Sequence, residues 1–163
     1  MSTYIKRLLR LRVAYLYAIM LFAYLTIDVL CNLIFLNLFK LERGSNEIIR
    51  DKGMLLTFIY TIILGPFLET LLFQFIPLKL LSTYTFFKQR KLLLALISAL
   101  IFALSHMYSF YYFILSFLMG AVFVFFFLIM EFKQKGTGLW HTTFLHMIIN
   151  LVVFIHQYFL CCL

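Results

Sequence analysis

The chain has 163 residues, 65% of them hydrophobic and only 12% charged, and the charges gather in short clusters between long apolar runs. A hydrocarbon core about 30 Å thick takes roughly 20 apolar residues per helix, so this length allows about five crossings and leaves little for a separate soluble domain. The net charge of +8 suits the cytoplasmic loops of a membrane protein, and with no nucleic-acid motif beside it the expected partners are the lipid bilayer and no nucleic acid.

Residues 1 to 12 carry Lys6, Arg7, Arg10 and Arg12 and lead into an apolar run that ends at Phe39, interrupted by Asp28 and a few polar groups. The run is too long for a signal-peptide core and no small-residue cleavage site follows, so it reads as a retained first helix. Four more candidate helices follow: Met54 to Leu78, Leu92 to about Met107, Tyr108 to Met130, and Leu139 to Leu160. Between Leu92 and Met130 the chain is nearly uncharged and about twice the length of one crossing, so length alone demands a reversal near His106 to Ser109. The expected fold is therefore all-α, one transmembrane domain over 1–163 built as a bundle of about five helices. Cys31, Cys161 and Cys162 form no C-x-x-C pair, and the terminal Cys-Cys-Leu does not fit a prenylation signal. They read as apolar filler, with lipidation at the tail as a further option.

With the N-terminus inside, the cytoplasmic segments hold Lys6, Arg7, Arg10, Arg12, Lys79, Lys88, Arg90, Lys91, Lys133 and Lys135. The opposite side holds only Lys40, Arg43, Arg50 and Lys52. The charge bias predicts a cytoplasmic N-terminus and an external C-terminus. The outer stretch from Lys40 to Lys52 also carries Glu42, Glu47 and Asp51 and is long enough for a short interfacial helix or a loop.

An ionisable side chain at the centre of a bilayer costs about 2.5 to 3.5 kcal/mol on insertion scales, so each one present asks for a reason. Glu69 lies inside the second run, His106 at the far end of the third, and His146 with Asn150 inside the fifth. His146 and Asn150 are four residues apart and share a helix face, which an imidazole and a carboxamide make unfit for lipid.

Three segments then resemble the CPBP (CAAX protease and bacteriocin-processing, also called Abi) intramembrane proteases. They read Glu69-Thr70-Leu71-Leu72-Phe73-Gln74, Phe102-Ala103-Leu104-Ser105-His106 and His146-Met147-Ile148-Ile149-Asn150, with Gly65-Pro66-Phe67-Leu68 similar to the family's entry to the first. They follow one another in the family's order, each in its own helix, and the resemblance covers about 63–151. It implies an endopeptidase, active in a bacterial plasma membrane on a membrane-associated, prenylated or other peptide or protein substrate. In that reading Glu69 and His106 hold and deprotonate a water, while His146 and Asn150 donate to the oxyanion. The alternative implied by the same resemblance is an inactive member serving as a bacteriocin-immunity or membrane scaffold protein.

Two positions depart from the family pattern, since Thr70 stands where it has a second glutamate and Gln74 where it has an arginine. They are one helical turn apart, so losing both together removes an ion pair without leaving an orphan charge, and hydroxyl and amide retain hydrogen-bonding capacity. Thr70, Gln74 and Phe102 are read as supporting residues. Zinc is the open cofactor question: Glu69, His106 and His146 supply a conceivable three-ligand set, yet H-E-x-x-H is absent and Thr70 removes the adjacent acid. The reading without metal is preferred.

Depth is a check on the site. At 1.5 Å per residue, Glu69 lies roughly 15 Å from Lys79 and His146 roughly 16 Å from Lys135, but His106 lies roughly 22 Å from Lys91. The third helix is therefore expected to tilt, start later or shift. His141, His156 and the Asp28/Asn32 pair are placed outside the site, as interfacial or packing residues.

Overall fold

The computed structural model describes residues 3–41, 53–88 and 90–156. The outer stretch from Glu42 to Lys52 and the tail with Cys161 and Cys162 lie outside the described residues.

The described residues form helices and turns, with no strand among them. A short helix, α1 (Thr3–Arg10), exposes Lys6, Arg7 and Arg10 and lays Leu8 and Leu9 on the bundle. Four helices are long and apolar enough to cross a membrane: α2 (Val13–Leu38), α3 (Met54–Leu81), α6 (Phe110–Lys133) and α7 (Gly138–Ile155). Between α3 and α6 come the single turn α4 (Thr85–Lys88) and the 14-residue α5 (Lys91–Leu104). The reversal demanded by length falls at residues 105–109, within the expected stretch. At about 21 Å, α5 is shorter than the hydrocarbon core, and the reversal that follows it leaves Met107 and Tyr108 exposed.

The long apolar helix α6 is the central post because it is apolar all round and packs on several neighbours, while Leu118, Phe125 and Phe132 form an exposed stripe. Phe123, Phe126 and Met130 pack with Leu16 and Met20 of α2 and Leu145 and Ile149 of α7; Val124 and Phe127 pack with Leu78 of α3 and Leu94 of α5. Gly120 lets α5 come close, since a Cβ there would stand 3.0 Å from Ala99 Cα. Polar pins join the rest. Asn32 Nδ2 donates to Asp28 Oδ2 (3.1 Å), and Tyr111 OH donates to Asn32 Oδ1 (2.9 Å), so the expected intrahelical pair also ties α2 to α6.

The basic segments share one end of the bundle. Lys79 pairs with Glu131 at 3.2 Å, Lys133 Nζ donates to Leu9 O at 2.8 Å, and the amides of Gly136 and Gly138 donate to Glu131 Oε2.

Candidate active site

The sequence of α3 bends its own geometry. It contains Pro66 and Pro77, neither of which has an N–H to give, and the turns at Ile59–Leu64 and Leu71–Phe75 widen to i→i+5 spacing. Glu69 sits on the regular turn between these wide ones. Gly65, one turn earlier, is required there: a Cβ would stand 2.7 Å from Tyr60 O and 3.6 Å from Glu69 Oε1.

Three of the residues expected from sequence come together. Glu69 Oε2 is 3.6 Å from His106 Nε2 and 3.6 Å from His146 Nε2. This oxygen is buried and accepts no hydrogen bond among the described residues, whereas the Glu69 side chain as a whole keeps 27% of its surface exposed. The carboxylate is thus reached through its other atoms.

His106 lies beyond the end of α5, and its ring turns back. Nδ1 is 2.9 Å from Phe102 O and the ring centre 4.5 Å from that of Phe102. The imidazole therefore lies at the depth of Phe102, about 16 Å from Lys91 by helical rise, level with the other two residues. No tilt or late start of the helix is needed; a residue count measures Cα positions, and side chains lean toward the helix N-terminus. With Nδ1–H donating to Phe102 O, Nε2 is left as an acceptor facing Glu69. Ser105 Oγ, 3.0 Å from Nδ1, also donates to Phe102 O.

His146 is buried among rings, 4.4 Å from Phe123 and 5.9 Å from Phe102 between centres. Its Nδ1 has no hydrogen-bond partner among the described residues, so its proton is of use at Nε2, facing the carboxylate. Phe102, expected as packing, touches both histidines and also Phe73 and Phe123.

Asn150 is placed differently from the other three. Its Nδ2 donates to Thr61 O at 2.7 Å, on the same helix as Glu69 but two turns away. Nothing in the motif spacing announces this bond; the signal was Pro66, five residues after Thr61. Thr70 and Gln74 are fully buried, and the oxygen of one and both amide atoms of the other have no hydrogen-bond partner among the described residues. The expected compensation by hydrogen bonding is not formed there. His141 and His156 stay outside the site; His141 Nδ1 meets Tyr17 OH at 2.9 Å.

Among the described residues no three histidine, cysteine, aspartate or glutamate side chains are disposed to hold a metal ion.

Residues 51–152, more than half of the chain, match the family described as type II CAAX prenyl endopeptidase Rce1-like. The chain belongs to the Rce1-like family. Neither the curated proteins nor the solved structures offer a match to it. Rce1-like proteins are the CPBP/Abi proteases, so the matched region takes in all three segments read from the sequence, with α2 and the tail outside it. Membership makes this an integral, multi-pass protein of a membrane protease family.

Proposed function

We propose that this Rce1-like chain is an intramembrane endopeptidase that hydrolyses a peptide bond of a membrane-associated, CAAX-type substrate with a water activated by Glu69. The observation that carries the reading is the shared approach of His106 and His146 to Glu69 Oε2. Peptide hydrolysis needs a base for water and a donor for the oxyanion, and one carboxylate between an imidazole acceptor and an imidazole donor provides both.

In this mechanism a water is held by the Glu69 carboxylate and His106 Nε2, both acceptors. Glu69 takes one proton as the water oxygen attacks the scissile carbonyl carbon. The carbonyl oxygen becomes an oxyanion and receives the hydrogen bond of His146 Nε2–H. Glu69 then returns its proton to the amide nitrogen as the C–N bond breaks, leaving a carboxylic acid and an amine, which exchange the remaining proton to become carboxylate and ammonium. Phe102 keeps the two rings apart and excludes stray water. A lipid-facing groove of about 320 Å³ runs between the helices that carry Glu69 and His146, lined by Leu64, Phe67, Trp140 and Met147 among others. An apolar substrate segment would approach through it.

The mechanism uses no metal. Metal analysis of purified, active protein is expected to find no stoichiometric zinc; one zinc per chain, lost with activity in both His106→Ala and His146→Ala, would make the histidines ligands. The competing role, an inactive immunity or scaffold protein, draws on Thr70 and Gln74. Comparing the N-termini of membrane proteins from cells carrying wild type or Glu69→Gln separates the two. Peptide ends that vanish with the variant support the protease, whereas an immunity phenotype that survives it supports the binder.

A further inference from the structure

We infer that Asn150 is a positioning residue that replaces the backbone donor missing at Pro66 and, through Thr61, sets His146 against Glu69. The inference rests on the protease reading for its kinetic arm only.

The wide turn of α3 sets the hydrogen-bond register. Gly65 N–H bonds to Tyr60 O, five residues back. The next donor in that register would be the N–H of residue 66, and its acceptor would be Thr61 O. Residue 66 is proline, which has no N–H, so this carbonyl is left without its helical donor. In the hydrocarbon no water replaces it, and neighbouring helices must supply the bond. Asn150 Nδ2 does so at 2.7 Å.

Ser98 Oγ of α5 also donates to the backbone of this helix, at Phe73 O. At the other proline of α3, Pro77, the register is again five residues, Ile76 N–H bonding to Leu71 O, so the carbonyl facing residue 77 is that of Leu72 and the Ser98 bond is a separate link between α5 and α3.

Position explains the consequence for the site. Asn150 lies one turn beyond His146 on the same face of α7, and Thr61 lies two turns before Glu69 on α3. The bond between them fixes how far α7 slides along α3, and with it the 3.6 Å separation of His146 Nε2 from Glu69 Oε2.

The test is a rescue. Pro66→Ala returns an N–H to the backbone, so the loss caused by Asn150→Ala should largely disappear in that background. Full-length protein in proteoliposomes is assayed with a farnesylated CAAX reporter peptide, and its thermal unfolding is followed in parallel. Asn150→Ala alone is expected to lower the melting temperature and to lower kcat about tenfold with KM little changed, as a small misplacement of reacting groups does. Added to Pro66→Ala, it should change kcat by less than about twofold and leave the melting temperature near that of Pro66→Ala. An Asn150→Ala protein that does not fold, alongside a Pro66→Ala/Asn150→Ala protein that does, supports the inference equally. Equal losses in both backgrounds would overturn it. So would a rescue of melting without rescue of kcat, since the bond to Thr61 would then not be what sets the site. If the wild type leaves the reporter intact, the protease reading fails on that substrate while the melting data still decide the role of Asn150.

Discussion

Glu69 Oε2 stands 3.6 Å from His146 Nε2, and the same oxygen stands equally far from His106 Nε2. One carboxylate oxygen between two imidazoles from different helices makes the histidines partners in a single step. Removing the oxyanion donor with His146→Ala is expected to lower kcat about 10²- to 10³-fold, and removing the water's second acceptor with His106→Ala about 10²-fold. Because both serve one step, the double variant should lose much less than the product of the two. Turnover of reporter peptide by the three proteins checks this, and multiplicative losses would separate the roles.

Gly65→Ala should damage both stability and activity. A Cβ at 2.7 Å from Tyr60 O meets backbone, which yields little, and at 3.6 Å from Glu69 Oε1 it also crowds the carboxylate. Overpacking of this kind costs about 1 to 3 kcal/mol. Melting temperature and kcat of this variant are the measurements; a protein of unchanged stability would show that the wide turn adapts.

Thr70 and Gln74 are buried one turn apart with no hydrogen-bond partner for their polar atoms among the described residues. Thr70→Glu or Gln74→Arg alone places a single charge in that interior and should cost about 3 to 5 kcal/mol, whereas the double change forms a pair and should be better tolerated than either. A double-mutant cycle on thermal unfolding with additive losses would contradict the paired reading.

Much of the site was legible because chemistry-bearing residues are scarce in apolar helices. Glu69, His106 and His146 stood out as groups a bilayer penalises, and the reversal at 105–109 followed from the length of an uncharged run. What escaped the sequence is geometry that spacing does not encode. His106 looked too deep because counting follows the backbone, while its ring folds back over Phe102. Asn150 shares a face with His146, and its bond to a carbonyl exposed by a proline in another helix is not encoded in that spacing. Asp28 and Asn32 were recognisable as a pair, but their link to Tyr111, 79 residues from Asn32, depends on how α2 packs on α6.

The charge bias, with the basic end where Lys79 meets Glu131 and Lys133 meets Leu9, predicts a cytoplasmic N-terminus and an external C-terminus. In a background with the native cysteines replaced, single cysteines at Thr83 and Gln134 should resist a membrane-impermeant thiol reagent applied to intact cells, and those at Phe39 and His156 should react. Labelling of Thr83→Cys and His156→Cys from the same side would overturn the crossing number.

Everything in the proposed chemistry turns on Glu69 as the base. Glu69→Gln keeps the size of the side chain and removes its proton affinity, and it leaves no buried charge unpaired, so the protein should insert and fold as the wild type does. The decisive experiment is cleavage of a membrane-bound reporter by wild type and Glu69→Gln, purified and reconstituted at equal amounts, with products identified by mass spectrometry. Cleavage by the wild type and a loss of about 10³-fold or more in the variant are expected. Wild-type cleavage matched by the variant would rule out Glu69 as the base.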